Sequence, residues 1–342
     1  MIRDEQIEAA VAQGILTAEQ ARRLRAFADG SPTGAAPDDT AADADDEKFR
    51  LIGGFNDVFV TIGVALLVAA LFALASVFEL RPGFAVLAMI SAWGLSEVFS
   101  RRMRLALPSV ALAVMFAGGA AFAAASLADL TWPNLSFLFA ALGAALGAIA
   151  HERRFRVPIN WAIAAVGLVY AVADGVSLAA PGWMEHNRPA LFAALGLGVF
   201  LAALRVDASD IARRTRRSDI AFWLHLVAAP MIVHGAIPLL VGTPDGMGTG
   251  QALAVLGIFV LLGLIAVTID RRALLVSGLI YAGVAIGYLL SQSVEKDLGA
   301  SLTLLGLATL VLSLSAGWRS LRRVLLPLLP LGPLRQLVPP PT

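Results

Sequence analysis

The fold is decided by the stretch FNDVFVTIGVALLVAALFALASVF, residues 55–78, in which no charged residue follows Asp57. A helix of about 20 consecutive apolar residues is long enough to cross the hydrocarbon core of a bilayer. The stretch therefore predicts a membrane-spanning helix. Similar apolar runs, separated by short charged clusters, recur through the rest of the chain.

The apolar runs predict ten spans, of which the sixth is the shortest and the seventh is interrupted by Pro230 and Pro238. We place them at about 55–78, 82–99, 106–128, 132–150, 157–180, 189–204, 219–241, 251–269, 273–291 and 298–317. Composition agrees, because 58% of the residues are hydrophobic and 15% are charged, against about 25% charged in average soluble domains. The expected fold is an all-α polytopic transmembrane helical bundle.

Basic residues give the orientation. Only three of the 26 lysines and arginines, Arg81, Arg188 and Lys296, follow odd-numbered spans. The positive-inside rule therefore puts both termini in the cytoplasm and favours an even number of spans. The clusters at 101–104, 153–156 and 213–217 look alike, which a duplicated helical hairpin would explain. We favour the simpler explanation that topology alone demands basic residues there.

The chain divides into four parts by composition. Residues 1–29 predict a small cytosolic helical hairpin, in which Thr17 and Gln20 have the spacing of a capping box. Residues 30–50 are acidic and rich in small residues and proline, which is typical of a disordered linker. The transmembrane domain follows at 51–318, and residues 319–342 form a basic, then proline-rich, cytosolic tail.

Ionisable residues inside apolar spans are candidate functional groups, because a buried charge is costly unless it is paired or hydrated. Asp174 and His234 have similar depths in the fifth and seventh spans, and a pair would suit a proton relay or cation site. A structural hydrogen bond or a hydrated helix end is the simpler explanation. Asp57, Glu97 and Arg101 lie near the cytoplasmic interface, where an ion pair or helix-end role is favoured over catalysis.

Several classes of site are not indicated. The chain has no cysteine, so disulfides and thiolate sites are excluded. His225 and His234 are nine residues apart and face opposite sides of one helix, which argues against a shared metal. No catalytic or phosphate-binding motif is found, and we expect no catalytic residue, metal, cofactor or nucleic acid.

A resemblance adds to this interpretation. The helix start Ala12-Gln13-Gly14-Ile15-Leu16-Thr17-Ala18-Glu19-Gln20 precedes a tether and the motif Phe55-Asn56-Asp57-Val58-Phe59. This combination resembles the bacterial membrane proteins grouped as DUF2157-like. The resemblance implies a multi-span architecture and a bacterial inner (cytoplasmic) membrane location, and it implies no site residues.

The sequence is compatible with three functions. The number of spans, the proline-interrupted seventh helix and the Asp174 and His234 candidates favour a small-solute transporter or permease. The alternative is a non-catalytic scaffold or sensor, whose N-terminal hairpin docks a protein partner while lipids surround the spans. A lipid-processing enzyme, with Glu97 beside the 101–104 cluster as a headgroup site, ranks last because topology explains the cluster. The oligomeric state is left open.

Overall fold

The computed structural model describes residues 7–8, 11–13, 16–17, 19–22, 54–78, 81–241, 248–292, 294–332, 335 and 338–340. The chain forms two compact units, Met1–Lys48 and Phe49–Thr342. Within the first unit, residues 7, 8, 11, 12 and 19–22 are helical. The Gln20 backbone N–H donates to Thr17 Oγ1 at 3.2 Å, and the Thr17 backbone N–H donates to Gln20 Oε1 at 2.9 Å.

This reciprocal pair confirms the predicted capping box, which satisfies two helix-terminal groups at once. The predicted linker at 30–50 lies outside the described residues, and the N-terminal hairpin as a whole stays a prediction.

The second unit contains ten long helices, numbered here in chain order. They are α1 (Phe55–Val77), α2 (Arg81–Ser96, extended by a π-helical turn Glu97–Arg102), α3 (Ala106–Asp129), α4 (Ser136–Phe155), α5 (Ile159–Ala179), α6 (Pro181–Ala208), α7 (Arg216–Val241), α8 (Thr249–Ile269), α9 (Ala273–Ser291) and α10 (Lys296–Leu325). Ten helices in the described residues are long and apolar enough to cross a membrane. The predicted all-α transmembrane fold and the count of ten spans are confirmed.

Two predicted boundaries are wrong. The sixth span was expected to be the shortest, at 189–204, but α6 has 28 residues and contains Arg188 and Pro189. Hydropathy locates the apolar part of a helix, and here the helix begins two polar turns earlier. The tenth helix likewise continues to Leu325, past the predicted end at residue 317. Its last turns are basic, so hydropathy does not detect them.

The helices pack as a series. Every helix pair with substantial contact in the described residues is one or two places apart along the chain. Close approach depends on small residues: a Cβ added to Gly143 in α4 would lie 2.6 Å from the Ala120 carbonyl oxygen of α3. The unit is therefore a series in which each helix contacts its near neighbours, as in a repeat protein; among successive helices, α6 and α7 pack most extensively, and α7 and α8 least. Successive helix pairs, from α1–α2 to α9–α10, are called hairpins below.

Candidate functional site

The main polar feature is a row of carboxylates at the ends of the even-numbered helices. Glu97 follows α2, Glu152 and Asp207 lie near the ends of α4 and α6, and Asp270 follows α8. Each carboxylate binds an arginine at or just beyond the end of the next hairpin. We name these the four links: Glu97–Arg154, Glu152–Arg216, Asp207–Arg271 and Asp270–Arg322. The side of the unit that carries them is called the arginine-rich face.

The first link is the most exposed. Arg154 Nη2 lies 2.6 Å from Glu97 Oε1, and Arg101 Nη1 lies 3.1 Å from Glu97 Oε2. The i,i+4 spacing of Glu97 and Arg101 predicted this second pair, which is present in the structure. Arg154 comes from a different helix and was not predicted.

The second link joins α4 to the start of α7. Glu152 Oε1 accepts hydrogen bonds from the Arg216 guanidinium and from Trp161 Nε1, the latter at 3.0 Å. Its other oxygen, Oε2, is buried without a hydrogen-bond partner among the described residues. The carboxylate is thus held by one charged and one neutral donor from two different helices.

The third link is buried. Arg271 binds both oxygens of Asp207, with Nε 3.0 Å from Oδ2, and also donates to the Ser218 carbonyl oxygen and to Ser218 Oγ, both at 3.2 Å. His225 Nε2 lies 3.1 Å from Asp207 Oδ2. Three connected segments, α6, α7 and the α8–α9 connection, therefore meet at one carboxylate.

The fourth link is also buried and has two arginines. Asp270 Oδ2 lies 2.7 Å from Arg213 Nη1 and 3.3 Å from Arg322 Nη1, while Trp318 Nε1 donates to Asp270 Oδ1 at 2.7 Å. Arg322 Nη2 also donates to the Pro339 carbonyl oxygen at 2.9 Å. This holds part of the C-terminal tail against the helices.

The connections that carry the arginine clusters contain residues in the left-handed backbone conformation. Four non-glycine residues in the described part of the chain have positive φ, and one lies in each connection after α2, α4, α6 and α8: Arg104, Arg156, Arg213 and Asp270. This conformation costs about 1–2 kcal/mol per residue for an L-amino acid. Arg213 offsets that cost because its guanidinium donates to the Ile269 and Asp270 carbonyl oxygens, at 3.1 and 2.9 Å. The guanidinium thereby caps the C-terminus of α8.

Asp210 shapes the connection that carries Arg213. Its carboxylate accepts hydrogen bonds from the Thr215 backbone N–H at 2.8 Å, from the Thr215 hydroxyl at 2.6 Å and from the Arg214 backbone N–H at 3.2 Å. Partial burial by itself raises the pKa of Asp210, but these hydrogen bonds outweigh it, so the pKa lies below its ordinary value. Asp210 is therefore a structural anion.

A buried histidine lies beside the first two links. Asn160 Nδ2 donates to the Val157 carbonyl oxygen and lies 3.0 Å from His151 Nδ1, which makes Nδ1 the acceptor. The ring proton then belongs on Nε2, which lies 3.0 Å from Ser96 Oγ. Trp93, Phe116 and Phe155 surround the ring. His151 is thus satisfied on both sides and joins α2 to α4.

The predicted Asp174 and His234 pair is not formed by direct contact. Among the described residues, neither an ion pair nor a hydrogen bond joins them. Asp174 Oδ2 is buried without a partner there, and His234 is exposed with its ring edge-on to Tyr281, 5.1 Å between centroids. A functional role for either residue stays a prediction.

The interfacial candidates are placed clearly. Asp57 is buried at the first turn of α1 and has a partner. Glu97 and Arg101 belong to the first link described above. In the described residues, no group of three His, Asp or Glu side chains has the arrangement of a metal site.

The links were not predicted, although the sequence carries a signal for them. Glu97, Glu152 and Asp207 are spaced 55 residues apart, each at the end of an even-numbered span. This recurrence, taken with the repeated arginine clusters, indicates a repeated hairpin. Topology alone, the explanation favoured above, accounts for the arginines but leaves the matching carboxylates unexplained.

Comparison of the chain with protein-family models, with curated proteins and with solved structures finds no match.

Proposed function

We propose that this integral membrane protein is a non-catalytic scaffold or sensor whose N-terminal unit docks a protein partner. The observation that carries the proposal is the series of four links, which ties successive hairpins together along one face. Transporters work by moving one part of a bundle against another around a central site. Each buried link opposes such movement, because separating a buried ion pair leaves a charge without compensation.

The cavities support the same proposal. A cavity of about 610 Å³ between α3, α4, α5 and α7 has no charged side chain among its lining residues. Solute pathways through membranes are usually marked by polar or ionisable side chains that face a water-filled space. An apolar cavity with tightly paired charges at one face suits a structural role better than solute transfer.

A small-solute transporter is the second candidate, and one observation favours it. Asp174 Oδ2 is buried in a membrane-spanning helix without a described partner. Pro230 and Pro238 lie inside α7, where each removes a backbone donor and frees a carbonyl oxygen. Such features line cavities in transporters.

We also propose that the arginine-rich face is cytoplasmic and that the protein resides in a bacterial inner membrane. The distribution of lysine and arginine supports the orientation. The resemblance of residues 12–20 and 55–59 to DUF2157-like proteins supports the location.

Cysteine accessibility tests both proposals, because the natural chain has no cysteine and single substitutions are clean. Ser209→Cys lies at the arginine-rich face and Asn134→Cys at the opposite face, and both positions are exposed. Ala144→Cys lines the large cavity. Intact cells are treated with a membrane-impermeant maleimide before and after permeabilisation.

For a scaffold oriented as proposed, Asn134→Cys reacts in intact cells, Ser209→Cys reacts only after permeabilisation, and Ala144→Cys reacts in neither case. Labelling of Ala144→Cys by the impermeant reagent would show a water path and would refute the scaffold proposal. Reversed labelling of the two exposed positions would refute the orientation.

Complementation of a deletion strain separates the two functions further. One variant lacks residues 1–47, and another carries Asp174→Asn with His234→Gln. A scaffold loses function with the first variant and keeps it with the second, because neither Asp174 nor His234 has a role in docking. The opposite result would support the transporter. Membrane levels of both variants, measured by immunoblotting, are the control.

A further inference from the structure

Two neighbouring cavities form one groove in the membrane-spanning unit. The cavity of about 610 Å³ and another of about 420 Å³ share four lining residues on α5 and α7: Val166, Tyr170, Leu226 and Val227. Both volumes fall in the range of about 300–1,000 Å³ that is typical of ligand sites. The groove therefore has the size of a binding site for a small amphiphile or lipid chain.

Small side chains create the groove. Ala140 and Ala144 on α4 and Ala162 on α5 line it with small side chains, while Gly167 lets α5 approach α4 so closely that an added Cβ would lie 2.6 Å from the Ala141 carbonyl oxygen. The walls are almost entirely hydrocarbon, and Phe137 and Tyr170 at the rim are exposed. In a bilayer, an apolar groove of this kind is filled by lipid hydrocarbon, because water has no polar partner there.

One end of the groove is polar. Arg188, Tyr170 and His234 line the smaller cavity, on the side of the unit opposite the arginine-rich face. None of the three makes a hydrogen bond or an ion pair with another described residue, and His234 has only its ring contact with Tyr281. A largely apolar groove with a few convergent polar groups is the usual form of a ligand site.

The charge among the residues that line this end is positive. Arg188 is the only charged side chain, within the described part of the chain, that lines either cavity. Asp174 lies one turn beyond Tyr170 on α5, and Glu185 precedes Arg188 on α6, but neither lines a cavity and neither pairs with Arg188. A guanidinium in this position matches a phosphate, which it binds through two parallel hydrogen bonds.

We propose that the groove binds an anionic phospholipid from the leaflet opposite the arginine-rich face, with an acyl chain between α5 and α7 and its phosphate at Arg188. The apolar walls accept the chain, and Arg188 supplies the counter-charge that selects the headgroup. This inference is independent of the scaffold proposal, since a transporter or a scaffold could carry such a site.

Native mass spectrometry of the detergent-purified full chain tests the site by titration with phosphatidylglycerol, phosphatidylcholine or phosphatidylethanolamine. We expect one tightly bound phosphatidylglycerol. Arg188→Gln should weaken that binding about 10- to 100-fold, as expected for loss of charge-assisted hydrogen bonds. Arg188→Lys keeps the charge but loses the planar guanidinium. Its affinity for phosphatidylglycerol should lie between those of the unaltered chain and Arg188→Gln.

One further variant and two control variants complete the test. Ala144→Phe fills the groove and should weaken binding, whereas Leu146→Phe on the exposed side of the same helix should not. Arg102→Gln, which removes an exposed charge at the arginine-rich face, should also leave binding unchanged. Equal binding of the three lipids, or full binding by Arg188→Gln or Ala144→Phe, would overturn the proposal.

Discussion

The third link offers the sharpest test of how the hairpins are held together. Arg271 is buried, and its guanidinium binds both carboxylate oxygens of Asp207 and two oxygens of Ser218. We consider Arg271→Met, which keeps the length of the apolar stem but removes the charge. The Asp207 carboxylate is then left with His225 alone.

The size of the effect follows from burial. Removing one partner of a buried ion pair costs about 3–5 kcal/mol, because the other charge stays desolvated and uncompensated. Asp207→Leu should cost a similar amount, since it leaves the buried Arg271 guanidinium unpaired. Replacing both partners with apolar residues removes both charges and is often close to neutral. The double variant should therefore be far more stable than the sum of the single changes, with a coupling energy of about 3 kcal/mol or more.

The assay is equilibrium unfolding of the purified full chain in mixed micelles with an increasing fraction of SDS. Arg272→Met is the matched control, because Arg272 is the next residue but is exposed, and among the described residues it makes only a stacking contact over Trp318, at 5.1 Å. That cation–π contact is worth about 0.5–1 kcal/mol at an exposed site. If Arg271→Met costs no more than this control, or if the two single changes simply add in the double variant, the reasoning about buried links is refuted.

Three other predictions use the same unfolding assay. Gly235→Ala should destabilise by about 1–3 kcal/mol, because its Cβ would lie 2.5 Å from a backbone oxygen of α6, whereas Gly118→Ala has open space and should be tolerated. Asp210→Asn should cost less than about 1 kcal/mol at neutral pH, since the carboxylate is largely exposed. Because its folded pKa is lowered, that difference should vanish as the pH falls from about 4 through the folded pKa. Glu97→Gln should leave stability almost unchanged, as expected for an exposed pair.

The spans were predictable because the bilayer fixes their length and the arginine clusters fix their direction. Both constraints act locally, so they can be read from the sequence one segment at a time. The length of α6 was not predictable, because its first two turns, from Pro181 to Arg188, are polar and give no hydropathy signal. Helix ends outside the hydrocarbon depend on capping and packing instead.

The polar network also contains contacts that the sequence predicts and contacts that it does not. The contact between Glu97 and Arg101 follows from helical spacing, since residues four apart share a face. The contact between Glu97 and Arg154 spans 57 residues of chain and depends on which hairpins become neighbours. Propensity and hydropathy do not contain that information. Only the 55-residue recurrence of the carboxylates hints at it.

The four links differ in burial, and the difference runs along the chain. The arginine side chains are 40% and 36% exposed in the first two links, and 2% exposed in the last two. Exposed pairs contribute little to stability, whereas the integrity of a buried pair is worth several kcal/mol. In a series of units that contact only their neighbours, local opening begins where the interfaces are weakest. The first hairpin, α1–α2, is therefore held to α3 least by its link and mainly by apolar packing, in which Val64, Ala88 and Leu112 belong to one buried cluster.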